Sequence, residues 1–88
     1  MKKLIIYGKT GCPYCVKAKE YATKLVEKNT IDSFEYLDMI IDNWTKDQIA
    51  DKFGINISQI YTVPQIGLEV DGNVKYIGGY NDLEASMQ

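Results

Sequence analysis

The 88-residue sequence has no histidine, no arginine, and only two cysteines and two prolines. Without histidine, Cys-His and Ser-His nucleophilic catalysis are excluded, as is any histidine metal site. A structural zinc site takes four Cys or His ligands, and Cys12 and Cys15 are the only residues available. Two cysteines are too few for the disulfide framework of a small secreted domain. No apolar run approaches the roughly 18 residues of a membrane helix. Lys2-Lys3 before Leu4-Ile5-Ile6-Tyr7 begins like a signal peptide, but Gly8-Lys9 ends the run. Such a segment needs about 7–15 apolar residues. A cytoplasmic protein with no membrane association is therefore expected. The net charge of -2 argues against general nucleic-acid binding.

What is present is the ordinary mix of a soluble fold, 45% apolar and 25% charged residues, in a length suited to one domain spanning residues 1–88. The charge is unevenly spread. Residues 1–28 carry seven lysines against two glutamates, and residues 29–88 three lysines against ten acids. The positive part surrounds the cysteines, where it favours a thiolate and attracts anions. Lys17, Lys19, Lys24 and Lys28 are read mainly as solvating a helix face, whereas Lys9 lies just before the cysteines.

Local patterns divide the chain into alternating elements. The run Leu4–Tyr7, closed by Gly8, suits a strand buried on both faces. Pro13 fits the first turn of a helix that extends to about Lys28, with Cys15, Ala18, Ala22 and Leu25 on one face. A strand follows over Ser33–Met39, with Met39-Ile40-Ile41 read as strand end or core and, second, as a partner patch. Thr45-x-x-Gln48 is a capping box for a helix from Lys46 to Phe53, stopped by Gly54. Trp44 before it suits a hydrophobic staple. Asp71-Gly72 predicts a hairpin between Gln65–Val70 and Val74–Ile77. A short last helix starts at Asn81 or Asp82. The order β-α-β-α-β-β-α is an α/β arrangement whose first three elements suit a βαβ crossover.

Cys12-Pro13-Tyr14-Cys15 is the chemical motif. Residues three apart on a helix lie roughly 5–6 Å apart at Cβ, close to disulfide distance. Cys12 falls at the helix N-cap, where unpaired N–H groups and the positive dipole end favour a thiolate. Cys15 belongs to the apolar face. Cys12 is therefore expected to be exposed and to attack, and Cys15 to be buried and to resolve. An inert staple is disfavoured, because so small a loop contributes only about 2 kcal/mol.

The segment Tyr7–Lys19, with Cys12-Pro13-Tyr14-Cys15 at its centre, resembles the active-site segment of dithiol glutaredoxins. Thr62-Val63-Pro64-Gln65-Ile66 resembles their cis-proline signature, and Ile77-Gly78-Gly79-Tyr80-Asn81-Asp82-Leu83 their third. The resemblance implies a thioredoxin-like fold with a four-stranded mixed sheet flanked by helices, and a monomer. It implies glutathione as reducing co-substrate, no metal, and disulfide-containing or glutathionylated proteins as acceptors, ribonucleotide reductase among them. It also implies a glutathione site. Lys9 would attract a glutathione carboxylate and Tyr14 would border the groove. Thr62 and Val63 would offer backbone groups beside a cis-Pro64. Gly78 and Gly79 would admit close approach, with Tyr80 alongside, and Asn81 and Asp82 would hold the γ-glutamyl end. Each has a structural alternative: a turn for Gly78-Gly79, an N-cap for Asp82, core packing for Tyr80. Tyr61 is read as structural, with bordering the groove as the second reading.

Departures from the family pattern are Gly67 in a strand, a long hairpin and a last helix of about two turns. Gly67 is expected to weaken packing or mark a bulge. Three rival functions differ in class. One is a redoxin reduced by thioredoxin reductase. Another is an iron–sulfur carrier holding a cluster between two Cys12 thiolates and two glutathiones, which Pro13 disfavours. The third is a non-catalytic binding module.

Overall fold

The computed structural model describes residues 1–87. Its centre is strand β1 (Lys2–Gly8), which pairs in parallel with β2 (Ser33–Asp38) and antiparallel with β3 (Gln65–Val70). Strand β4 (Asn73–Gly78) pairs antiparallel with β3, giving the mixed order β2-β1-β3-β4. Helices α1 (Pro13–Glu27), α2 (Lys46–Phe53) and α3 (Tyr80–Met87) complete the expected order. This is a thioredoxin-like arrangement. No described helix is long and apolar enough to cross a membrane.

Side chains alternate across a strand, so β1 feeds two cores. Leu4 and Ile6 face Ala18, Ala22 and Leu25 of α1, Ile66 of β3 and Leu83 of α3. Ile5 and Tyr7 face Ile49, Ala50 and Phe53 of α2 with Ile60. All four β1 side chains are buried to within 1% exposure, which is why the run reads as continuous apolar sequence.

The local signals hold. The Thr45 hydroxyl accepts from the Gln48 N–H at 3.2 Å, and the Gln48 side chain accepts from the Thr45 N–H at 2.9 Å. Such a cap stabilises a helix by about 1 kcal/mol. Gly54 closes α2 with φ 67°. Trp44 packs edge-on against Tyr7 with ring centroids 4.8 Å apart, in the same cluster as Ile49, as a staple requires. Asp71 and Gly72 both have positive φ (51° and 88°), the two-residue turn that matches strand twist.

Three readings are corrected. Strand β2 stops at Asp38, and Ile40 and Ile41 are neither strand nor core, being 67% and 72% exposed. The Asp38 carboxylate is the cause: Oδ1 accepts from the N–H groups of Ile40 and Ile41 at 2.8 and 2.9 Å, turning the chain out of the sheet. Helix α3 starts at Tyr80, one residue early, because the Gly79 carbonyl already accepts from Leu83 N–H at 3.0 Å. Gly67 does mark a bulge, opposite the extra residue Ile77 of β4. It does not weaken packing: the Phe53 ring lies where a Cβ would stand, so the missing side chain is replaced by an aromatic one. Between α2 and β3, Ile57–Gln59 form a 3-10 turn capped by the Asn56 side chain.

Candidate active site

Strand β1 delivers the chain to a tight turn, Lys9–Gly11, from which α1 departs. Gly11 takes φ 85°, a conformation open to glycine at little cost. The turn is tied to the end of β2. Thr10 Oγ1 donates to Asp38 Oδ2 at 2.7 Å, and Met39 N–H to the Gly8 carbonyl at 2.7 Å. These hydrogen bonds hold the Asp38 carboxyl below its ordinary range, the Ile41 N–H contributing most and the Thr10 hydroxyl next.

Cys12 occupies the N-cap of α1 with Pro13 at the first helical position. No side chain caps the helix there. The Cys12 N–H reaches the Lys9 carbonyl at 3.4 Å, and its carbonyl accepts from Val16 at 3.2 Å. The thiol is partly exposed and donates to the Val63 carbonyl at 3.7 Å. Cys15, three residues on, is fully buried. Both are free thiols.

The buried thiol is pushed up to about 11, first by loss of solvation, then by a hydrogen bond to Cys12. A hydrogen bond from the Lys9 backbone opposes this, as does one from the Tyr36 hydroxyl. Tyr36 is itself pushed up to about 12 by burial and then by the charge of Cys15. Lys19 Nζ sits 5.0 Å over the Tyr36 ring. Gly8 makes this packing possible. A Cβ there would stand 2.5 Å from Tyr36 Oη and 2.9 Å from Cys15 Sγ, nearer than carbon approaches either atom. Sequence reading missed both Gly8 and Tyr36 as site residues. Gly8 in the family-like segment was read only as a strand stop.

Beside Cys12 lies a groove of about 620 Å³, within the ~300–1,000 Å³ usual for small-ligand sites. Tyr14 of α1 forms one wall, and Thr62-Val63-Pro64 another, with Val63-Pro64 in the cis form. Gly78, Gly79, Tyr80, Asn81 and Asp82 form the third. Nine of the ten expected glutathione residues thus line one depression. Lys9 does not. It lies in an adjoining hollow of about 360 Å³ that shares only Tyr61, Thr62 and Val63 with the groove.

Several details refine the expected roles. The Thr62 carbonyl is already taken by the Gln65 side-chain amide at 2.8 Å. Gln65 is 1% exposed, and its oxygen accepts from Tyr76 Oη at 2.6 Å, so it stitches the 59–65 loop to β4. Among the described residues nothing accepts from the Val63 N–H. Asp82 Oδ2 accepts from the Gly79 N–H at 3.0 Å, so Asp82 is no N-cap but reaches back to one from the third helical position. Among the described residues its second oxygen accepts no hydrogen bond. Gly78 has φ 126°, and the Asp82 carboxylate fills the place of its Cβ. Tyr80 packs edge-on to Tyr21 at 6.3 Å and near Tyr14 at 6.2 Å, so it serves core and groove together. Tyr61, read as structural, is 78% exposed and lines the groove with Ser58, Gln59, Tyr76 and Ile77. Among the described residues no three His, Cys, Asp or Glu side chains are placed to hold a metal ion.

The glutaredoxin family profile matches residues 4–74. Glutaredoxin 1 of Escherichia coli is 37% identical over 81 residues, covering 92% of this chain and 87% of that protein. The glutaredoxin of Haemophilus influenzae is 36% identical over 85 residues, covering 97% and 90%. The NMR structure of reduced E. coli glutaredoxin aligns with a TM-score of 0.72 at 39% identity, over 96% of this chain and 91% of that one. Sequence and fold thus agree along almost the whole chain: it belongs to the glutaredoxin family and is a thiol–disulfide oxidoreductase.

Proposed function

We propose that the chain is a glutathione-dependent dithiol oxidoreductase that reduces protein disulfides and glutathione mixed disulfides. The observation that carries this reading is the pairing of a partly exposed Cys12 with a buried Cys15 beside a groove of glutathione size.

The Cys12 thiolate attacks one sulfur of the acceptor disulfide. A Cys12–acceptor disulfide forms and the other acceptor sulfur leaves as a thiolate. Cys15 then attacks the Cys12 sulfur, its proton neutralising the departing acceptor thiolate, and a Cys12–Cys15 disulfide remains. One glutathione thiolate attacks Cys12 and frees Cys15. A second attacks the glutathione on Cys12, releasing glutathione disulfide and the Cys12 thiolate. With a glutathionylated acceptor, Cys12 takes the glutathione directly and Cys15 is not needed.

The order of events has an electrostatic reason. Two of the influences that hold the proton on Cys15 come from Cys12, its hydrogen bond and its charge. Both vanish once Cys12 is in a mixed disulfide. The Lys9 backbone and the Tyr36 hydroxyl then favour the Cys15 thiolate against burial alone. Reaction of Cys12 therefore makes Cys15 a better nucleophile, while burial, the largest influence on its proton, remains.

In the groove, the Val63 N–H would donate to the glutathione cysteine carbonyl as an added strand does. The start of α3 at Gly79–Asn81 suits the γ-glutamyl carboxylate, and the free Asp82 oxygen its ammonium. Tyr14, Thr62, Pro64, Gly78 and Tyr80 shape the walls. Ribonucleotide reductase, with its redox-active cysteines, is one acceptor to test, in a cytoplasmic and monomeric setting.

The test is turnover of a glutathione mixed disulfide with two reductants in parallel. One arm holds glutathione, glutathione reductase and NADPH; the other holds thioredoxin reductase and NADPH. Turnover in the first arm alone is the expected result. Turnover only in the second overturns the glutathione reading.

A further inference from the structure

Lys19 follows Cys15 by four residues on α1, so the two share a helix face, and a helical side chain leans back toward the N-terminus. No carboxylate competes for it at helical spacing, where Cys15, Val16, Ala22 and Thr23 stand. Among the described residues it makes no salt bridge. The residue is exposed, yet its ammonium does not trail into water. Its Nζ stands 5.0 Å over the ring of Tyr36, on the neighbouring strand β2.

The hydroxyl end of that ring is also fixed. Tyr36 Oη and Cys15 Sγ converge on the place of a Gly8 Cβ, 2.5 and 2.9 Å from it, and the hydroxyl donates to the sulfur. Cation, ring, hydroxyl and sulfur therefore form one run of contacts from solvent to the buried thiol. A cation is attracted to the face of a phenol. It draws ring electron density toward itself, which makes the O–H a stronger donor. A hydrogen bond to the charged form favours that form.

Resting on the reading of Cys15 as the resolving thiol, we propose that Lys19 is a positioning residue for the second half of the reaction, acting on Cys15 through the Tyr36 ring and hydroxyl. The step it serves is attack of the Cys15 thiolate on the Cys12 sulfur. The Cys15–Cys12 bond forms, the bond from Cys12 to the acceptor sulfur breaks, and the electron pair leaves on that sulfur. The proton from Cys15 goes to the departing thiolate or, for an acidic aromatic thiol, to water. The groups facing Cys15 and Tyr36 are Cys12 of α1, the Lys9 backbone of the turn and Asp38 of β2. The charges of Cys12 and Asp38 oppose ionisation there, and Lys19 works against them.

Lys17 offers a contrast on the same helix. It stands 5.1 Å over the Tyr14 ring, a contact of the same kind two residues away. Tyr14 faces the groove and is no partner of Cys15. The two lysines carry equal charge to different rings.

The experiment is stopped-flow reaction with a chromogenic aromatic disulfide, across neutral to alkaline pH. The first release of coloured thiolate reports Cys12 and the second reports Cys15. An exposed contact of this kind shifts an equilibrium severalfold, so Lys19→Gln is expected to slow the second release about two- to fivefold at neutral pH. It also moves that phase's pH profile upward and changes the first release less. Lys19→Arg, which keeps a cation for the ring, restores both. Lys17→Gln leaves the second release as in wild type. In a Tyr36→Phe background, which keeps the ring and removes the hydroxyl, Lys19→Gln has no further effect on that phase. An unmoved second release in Lys19→Gln overturns the proposal. Equal slowing in Lys17→Gln, or undiminished slowing in the Tyr36→Phe background, also overturns it, since either reduces Lys19 to part of a general positive field. A wild type that gives no second release overturns the resolving role of Cys15 and the proposal with it.

Discussion

Cys12 and Cys15 are separated by two residues, yet they inhabit different solvents. Cys12 is met by backbone: the Lys9 carbonyl behind it and the Val63 carbonyl in front. Cys15 also has a backbone neighbour, Lys9, but its burial comes from side chains, with Tyr36 on one side and the apolar stripe of α1 along its own helix face. The first surrounding survives changes of side chain; the second survives them only in its Lys9 hydrogen bond. The contrast teaches that the motif spacing supplies two thiols, whereas burial supplies their order of reaction.

The largest test of this contrast removes each sulfur in turn. Cys12→Ser is expected to abolish reduction of both protein disulfides and glutathione mixed disulfides. Cys15→Ser abolishes only the former, and keeps deglutathionylation within about threefold of wild type. Assays on the two substrate classes decide, and equal losses in both variants would erase the asymmetry.

Next is Gly8→Ala. The new Cβ must displace Tyr36 Oη or Cys15 Sγ. Overpacking of this kind costs about 1–3 kcal/mol, or roughly 4–8 °C of thermal midpoint per kcal/mol for a domain this size. A melt within 1–2 °C of wild type would mean that the Cys15 pocket yields more easily than a packed core.

Tyr36→Phe sharpens the contrast more finely. Loss of one hydrogen bond to a thiolate, about 1.5 kcal/mol or more, slows the Cys15 step by about tenfold or more. It also moves that step's pH profile upward. Stopped-flow reaction with a chromogenic aromatic disulfide reads the two steps as successive releases of coloured thiolate. The slow phase is expected to change far more than the fast one. An unmoved slow phase would show that burial alone governs Cys15.

The smallest effect is on stability at alkaline pH. Burial keeps protons on Cys15, Tyr7 and Tyr36, at about 11, 12 and 12, above the ordinary 9 to 10. The unfolded chain releases these protons first, so it binds fewer of them above pH 9 and stability falls as pH rises. Thermal midpoints from pH 7 to 10.5 should decline from about pH 9 onward, less steeply in Cys15→Ser. A flat profile would mean that the pocket admits the charged thiolate without penalty.

How far the sequence disclosed this arrangement depended on the reach of the interactions. The Cys15-Ala18-Ala22-Leu25 stripe, the Thr45–Gln48 box and the Asp71-Gly72 turn obey rules spanning a few residues, and each stands where it was read. The groove's third wall was legible only through family resemblance, since nothing local brings residues 78–82 to residues 62–64. Ile40 and Ile41 misled because apolar residues after a strand usually extend it, and one carboxylate decided otherwise. Gly67 looked like a weakness because Phe53, which fills its place, comes from another element. The glutathione role of Lys9 came from the resemblance alone, and Lys9 stands in the adjoining hollow that meets the groove at Tyr61, Thr62 and Val63.

Asp38 holds the turn that follows it by main-chain N–H groups, and it holds Thr10 of the cysteine turn with its other oxygen. Neither attachment depends on which side chains stand at positions 40 and 41. Those two positions form an exchangeable cassette on a fixed mount. A library varied there, with Asp38 and Thr10 kept, would change that exposed surface while leaving the cysteine turn in register.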